Sequence, residues 1–289
     1  MLIATLPPYV RHREVIARHP LVDGLRFNTI MPIGEPKPEV LADLVRLAGE
    51  KPLWIDLKAR QLRITRFAYL PYAFVEISRR IRVELPARVL FRDCEAEIVR
   101  VVDGDKLILA GRPPRVVGAG EPITILARSL EIEGYLTDDD REWIAAARAE
   151  GVHDYLLSFV EGPDDVQALV ALDPDARPVA KIESARGVAT VGALGTRLMA
   201  ARDDLYLQLG AQAILPALEA IVAADATAIC ASRVLTSLEH GETVSLADLA
   251  DVELMRRMGY RAFMLSDGLC FAERCFARAM DAWAELAAR

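Results

Sequence analysis

A lysine and two carboxylates stand out in a chain whose strand-like runs are otherwise apolar. In Val179-Ala-Lys-Ile-Glu183, Lys181 and Glu183 are two positions apart, so in a strand they share a face, while Ala180 and Ile182 take the other. Further along, Leu198-Met-Ala-Ala-Arg-Asp-Asp-Leu205 is again apolar and ends in adjacent carboxylates, Asp203 and Asp204. Charges inside apolar strands are costly unless paired, hydrogen-bonded or metal-bound. Two strand ends that offer Glu183, Asp204 and a lysine form an oxygen-ligand set for a hard divalent cation such as Mg²⁺ or Mn²⁺. The same pattern equally fits a buried Lys181–Glu183 ion pair, with Asp203 or Asp204 capping the next helix.

The elements that must position these groups follow from the apolar periodicity. Leu2–Thr5, Gly24–Asn28 and Pro52–Asp56 read as strands, with helical patterns over Tyr9–Arg18 and Pro38–Gly49 between them. This is the rhythm of a parallel sheet. It breaks from about Ile64 to Leu126. There Phe74–Ser78, Ile81–Glu84, Ala96–Val102 and Lys106–Leu109 alternate or are β-branched, Asp103-Gly104 is a hairpin turn, and Gly111, Pro113-Pro114, Gly118 and Gly120 supply further turns. The rhythm resumes with a helix capped by Thr137 or Asp138. Strands at Tyr155–Phe159, Val179–Glu183, Leu198–Arg202, Thr227–Ala231 and Ala262–Ser266 alternate with helices that include Ala213–Ala223 and Leu246–Met258, and a helix from Phe271 to Ala288 closes the series. Eight such units make an α/β fold, a (β/α)8 TIM barrel with a small all-β domain inserted after the third strand. The barrel takes 1–64 and 127–289, and the insert takes 65–126. Arg26, Asn28, Asp56, Lys58, Glu183, Asp204, Ser232 and Ser266 fall at or just past strand C-terminal ends, where such barrels carry their active sites.

Composition narrows the function. The 289 residues are 53% hydrophobic, ample for a core, with a formal charge of −7. The sequence pI of about 5.3 excludes the basic face of a nucleic-acid binder. No apolar run reaches the length of a membrane span, and Met1-Leu-Ile-Ala-Thr-Leu-Pro-Pro8 lacks the basic start of a signal peptide, so a cytoplasmic protein is expected. Cys94, Cys230, Cys270 and Cys275 have no C-x-x-C spacing and read as reduced thiols. His12, His19, His153 and His240 read as surface residues, and Asp138-Asp-Asp140 as helix capping.

Seven runs, in order, resemble the barrel and lid domains of the pyruvate kinase family. Leu25-Arg-Phe-Asn28 is similar to its A-R-L-N-F-S-H, and Ile55-Asp-Leu-Lys-Ala-Arg-Gln-Leu-Arg63 to L-D-T-K-G-P-E-I-R. Leu136-Thr-Asp-Asp-Asp140 through Leu157-Ser-Phe159 resembles L-T-E-K-D followed by A-S-F, and Ala180-Lys-Ile-Glu183 resembles A-K-I-E. Met199-Ala-Ala-Arg-Asp-Asp-Leu205 resembles M-V-A-R-G-D-L-G, Ile229-Cys-Ala-Ser-Arg233 resembles I-C-A-T-Q, and Met264-Leu-Ser-Asp267 resembles M-L-S-G. The family's C-terminal regulatory domain finds no counterpart. The resemblance implies a barrel of the phosphoenolpyruvate/pyruvate type. It implies Lys181 at the transferring phosphoryl group and enolate oxygen, Mg²⁺ or Mn²⁺ on Glu183 and Asp204, and Arg26 as a phosphate clamp supported by Arg63. It places Ser232 near proton delivery, Asp203 where the substrate carboxylate approaches, and Asn28 and Asp56 as ligands of a monovalent cation, K⁺. A small-molecule 2-oxo acid or enolpyruvate substrate follows, with a homo-oligomer formed through the barrel.

The departures from the family touch its nucleotide side, its monovalent-cation site and the approach of the substrate carboxylate. Its S-H pair is replaced by Ile30-Met31, its lid lysines by Glu121-Pro122, its R-G-D glycine by Asp203, and a glutamate tied to potassium dependence by Gln61. The reading is therefore a pyruvate kinase-like phosphotransferase with an eroded nucleotide side. A Mg²⁺-dependent lyase, either an aldolase or a decarboxylase of a 2-oxo acid, and a non-catalytic binding protein are the alternatives.

Overall fold

The computed structural model describes residues 1–66, 74–91, 94–113 and 115–287. The expected turn at Pro114 and the Ala288 end of the closing helix lie outside them, as do 67–73 and 92–93 of the expected insert. The chain forms two compact units, one of Met1–Ala59 with Leu136 onward and the other of Arg60–Tyr135. The smaller unit extends past the expected 65–126 at both ends because Leu62, Ile64 and Ile132 pack with its core.

In the larger unit eight parallel strands close into a barrel: Leu2–Thr5, Gly24–Asn28, Leu53–Leu57, Asp154–Leu157, Arg177–Ile182, Arg197–Ala201, Ile229–Ala231 and Ala262–Met264. Each pairs with the next in sequence, and the first closes on the eighth, Leu2 opposite Phe263. These are short, almost wholly buried runs, as parallel strands covered on both faces must be. Ile3, Trp54, Leu156, Val179, Met199, Ile229 and Met264 form one buried cluster contributed by seven of the strands. Trp54 fits because position 24 is glycine: a Cβ there would lie 2.4 Å from a carbon of the indole ring. The small unit holds a six-stranded antiparallel sheet and a two-stranded ribbon of Ile81–Arg82 with Glu131–Ile132. Asp103 and Gly104 turn between two of its strands with φ of 55° and 83°, both positive, as a type I′ hairpin requires.

The helix of residues 138–149 begins as expected. Thr137 caps it, and Asp140 completes the capping box. Four details differ. The first helix is Arg13–Arg18 and starts later than Tyr9, because Arg13 Nη1 donates to Pro8 O at 2.9 Å and holds a turn there. Arg202 leaves the sixth strand and opens a helix, Arg202–Leu209, so Asp203 and Asp204 lie in its first turn and neither is its N-cap. The closing helix is interrupted at Ala272, giving Asp267–Phe271 and Glu273–Ala287. His12 is buried, its Nε2 3.0 Å from Cys270 O. No helix among the described residues is long and apolar enough to cross a membrane.

Candidate active site

The C-terminal ends of the barrel strands carry a buried network of charges. Lys181, near the end of the fifth strand, is enclosed by Asp56 and Glu183. Its Nζ lies 3.2 Å from Asp56 Oδ1, 3.4 Å from Glu183 Oε1 and 2.8 Å from Ser158 Oγ. Ser158 Oγ in turn donates to Leu57 O at 2.8 Å, which fixes it with a lone pair facing the ammonium. The alternation that sets Lys181 and Glu183 on one side of the strand is therefore realised.

Asp56, at the end of the third strand, joins the two cations. Its Oδ2 accepts from Arg26 Nε at 2.8 Å and Nη2 at 2.5 Å, while Oδ1 faces Lys181. Burial pushes this carboxyl upward, but the charges of Lys181 and Arg26 outweigh burial and hold it below its ordinary 3.8. Lys181 is likewise desolvated, yet Asp56 and Glu183 keep its pKa raised, so the ammonium stays charged. Asn28 shares the barrel interior with Arg26, two residues along the second strand. Its Nδ2 donates to Asp267 Oδ2 at 2.8 Å, and its Oδ1 accepts from Ile30 N at 3.3 Å.

Glu183 is the group whose charge is least compensated. Burial first, and the charge of Asp204 next, push it up to about 7 against the opposing pull of Lys181 and a 2.6 Å hydrogen bond from Phe159 N. Asp204 is half-buried in the first turn of its helix, close enough to act on both Glu183 and Lys181. Two cations, Arg26 and Lys181, thus face four carboxylates: Asp56, Glu183, Asp204 and Asp267. These four carboxylates bring several hard oxygen donors together at the strand ends. That donor set fits a divalent cation, which would compete with the proton for Glu183.

Asp203 and Arg63 have partners within their own units. Asp203 is exposed and pairs with Arg233 Nε at 2.5 Å. Arg63 belongs to the smaller unit, where its guanidinium donates to Gly120 O at 2.6 Å and Gln61 Oε1 at 2.5 Å. Glu121, in the run that replaces the family's lid lysines, is ion-paired with Arg115. Ser232, just past the seventh strand, is in a left-handed conformation, φ 65°. Arg202, buried and itself held by Asp251 at 2.6 and 2.8 Å, fixes that turn by donating to Ala231 O at 3.2 Å and Ser232 O at 2.6 Å. Ala59 and Phe159, just past two other strand ends, are also left-handed at 43° and 52°. Such strained non-glycine residues persist where the surroundings over-determine them, often around functional sites.

Sequence reasoning passed over Asp267, Thr5 and Ser158. Thr5 Oγ1 donates to Asp267 Oδ1 at 2.9 Å and accepts from Arg26 Nη1 at 3.2 Å, and Arg26 Nη1 also contacts Asp267 Oδ1 directly. The available signal was Asp267 itself, a carboxylate in the Met264-Leu-Ser-Asp267 run where the resembling M-L-S-G has glycine.

The chain is 26% identical over 197 residues to a pyruvate kinase of Thermoplasma acidophilum, a match covering 64% of this chain and 36% of that protein. No protein-family model matches. The likeness is therefore pyruvate kinase-like in kind, and the chain spans little more than a third of that relative's length.

Proposed function

We propose that the barrel mouth is a metal-dependent site that forms or consumes the enolate of a small 2-oxo acid of the pyruvate type. The observation that carries this reading is the burial of Lys181 between Asp56 and Glu183, with Asp204 acting on both Lys181 and Glu183. A Mg²⁺ or Mn²⁺ ion held by Glu183 and Asp204 would supply Lewis-acid polarisation of the substrate oxygens. Lys181 offers a fixed ammonium to an oxygen that gains negative charge as a proton or a group leaves the adjacent carbon. Because its counter-charges are already in place, little reorganisation accompanies the reaction. Asp56 orients Lys181 and keeps it protonated, and Ser158 fixes its third direction. Ser232, on its left-handed turn, takes the proton-delivery role that the resemblance implies. K⁺ has no part in this reading, since Asp56 already lies between two organic cations.

Calorimetry with Mn²⁺ and oxalate, a dianionic mimic of pyruvate enolate, tests the reading. Oxalate should bind only when Mn²⁺ is present, and Glu183→Gln should remove that metal-linked heat. Wild-type protein that gives no metal-linked oxalate binding would sink the idea.

Phosphoryl transfer to ADP is a second reading, favoured by the likeness to a pyruvate kinase. The lid run argues for a low rate: where the family carries lysines, Glu121 is a carboxylate already committed to Arg115. Loss of one charge contact to a transferring phosphoryl group costs on the order of 3 kcal/mol, roughly a hundredfold in rate. A coupled assay of ADP phosphorylation from phosphoenolpyruvate should accordingly run about a hundredfold or more below an ordinary pyruvate kinase. Ordinary turnover would return the chain to the kinase reading.

A further inference from the structure

Arg26 does not face an open site. Nε and Nη2 are spent on Asp56, and the remaining nitrogen, Nη1, meets Asp267 Oδ1. Thr5 Oγ1 donates to that same oxygen at 2.9 Å, and Asn28 Nδ2 donates to Oδ2 at 2.8 Å. A guanidinium nitrogen, a hydroxyl and an amide from the first two strands thus converge on one carboxylate delivered from beyond the eighth. Such a set of donors would take a phosphate as readily as a carboxylate.

We propose that Asp267 is the specificity-determining residue of this mouth. It fills the anion cradle of Thr5, Arg26 and Asn28, and so selects an unphosphorylated 2-oxo acid over a phosphorylated enol acid. The inference rests on the 2-oxo acid reading given above. Two features of the network support it. First, the Asp267 side chain is 27% exposed whereas that of Asp56 is 4%, so Asp267 is the carboxylate an entering ligand meets. Second, the charge balance is unfavourable to phosphate. A 2-oxo acid brings one negative charge to a mouth that already holds Asp56 and Asp267. A phosphorylated enol acid adds about three at neutral pH, and its phosphate would have to lie against Asp267 or displace it.

The probes are inorganic phosphate and, in a parallel arm, Mn²⁺ with oxalate, both followed by calorimetry. Wild-type protein should bind oxalate with Mn²⁺ and should bind phosphate far more weakly. Asp267→Ser, which empties the cradle, should bind phosphate at least about tenfold tighter than wild type, the usual scale for relieving one like charge at hydrogen-bond distance. Asp267→Asn keeps the shape and loses the charge, so it should gain in the same direction by less, and it serves if the serine variant does not fold. Thermal melts establish that each variant is folded. The inference is overturned if wild type binds phosphate as tightly as oxalate, or if neither folded variant gains phosphate affinity. Absence of metal-linked oxalate binding in wild type would instead count against the 2-oxo acid reading, and the phosphate comparison would still report on the cradle.

Discussion

Lys181→Met should abolish Mg²⁺-dependent exchange of pyruvate methyl protons with deuterated water, a reaction that wild-type protein should catalyse and that proton NMR follows directly. The methionine keeps most of the length of the lysine and removes its charge. The developing enolate oxygen then loses the only ammonium in the buried network, while Glu183 and Asp204 remain to hold Mn²⁺. The same change leaves Glu183 without its organic cation and Asp56 with Arg26 alone. Breaking a buried pair by removing one partner costs about 3 kcal/mol or more, so the variant should also melt several degrees lower. Added Mn²⁺ should recover part of that stability without recovering exchange. If the variant exchanges as fast as wild type, Lys181 is a structural cation and the enolate reading fails at its centre.

Asp56→Ala should be the more destabilising substitution. Asp56 is 3% exposed and touches both Arg26 and Lys181. Its removal leaves two buried cations to repel each other across a small cavity, a loss of about 3 to 5 kcal/mol. The pH dependence follows from the direction of its shift. The folded carboxyl is held below its ordinary 3.8, so the folded chain binds fewer protons there than the unfolded chain. The stabilisation is therefore complete above pH 3.8 and is lost as the pH falls through the folded value. Thermal melts should show the full gap between wild type and Asp56→Ala at neutral pH, narrowing only below pH 3.8. A gap that is unchanged in acid would mean that the charge of Asp56 is not what stabilises the barrel.

The barrel was legible in the sequence because its strands are short apolar runs, most with a polar residue at or near the C-terminal end, and helical periodicity lies between them. Lys181 and Glu183 could be placed on one side by the two-residue period of a strand alone. The sequence places Asp204 at a strand end, but it stands in the first turn of a helix, since eight residues beginning at Arg202 offer too short a pattern to separate from the apolar run before them. In the small unit, Lys106–Leu109 was read to the residue, whereas Glu131–Ile132 is too short to show any period. Asp267 was missed for a different reason. Its partners Thr5, Asn28 and Arg26 lie 262, 239 and 241 residues away, and pairing at that distance has no local pattern. His12 was read as a surface residue for the same reason, because the carbonyl that meets its ring belongs to Cys270.

The pairing of the first strand with the eighth has a kinetic side. Thr5 and Arg26 are synthesised at the start of the larger unit and Asp267 near its finish, so the part of the charge cluster built on Asp267 comes into being only when the two extremes of that unit meet. Contacts of such long sequence separation form late, after the loop-closure entropy between them has been overcome. Until then Arg26 has one of its two anions, and the mouth differs in charge from its finished form. Ligand recognition at this site is thus a property of the closed ring of strands, and it should appear in a refolding experiment with the last phase and not with the bulk gain of helix.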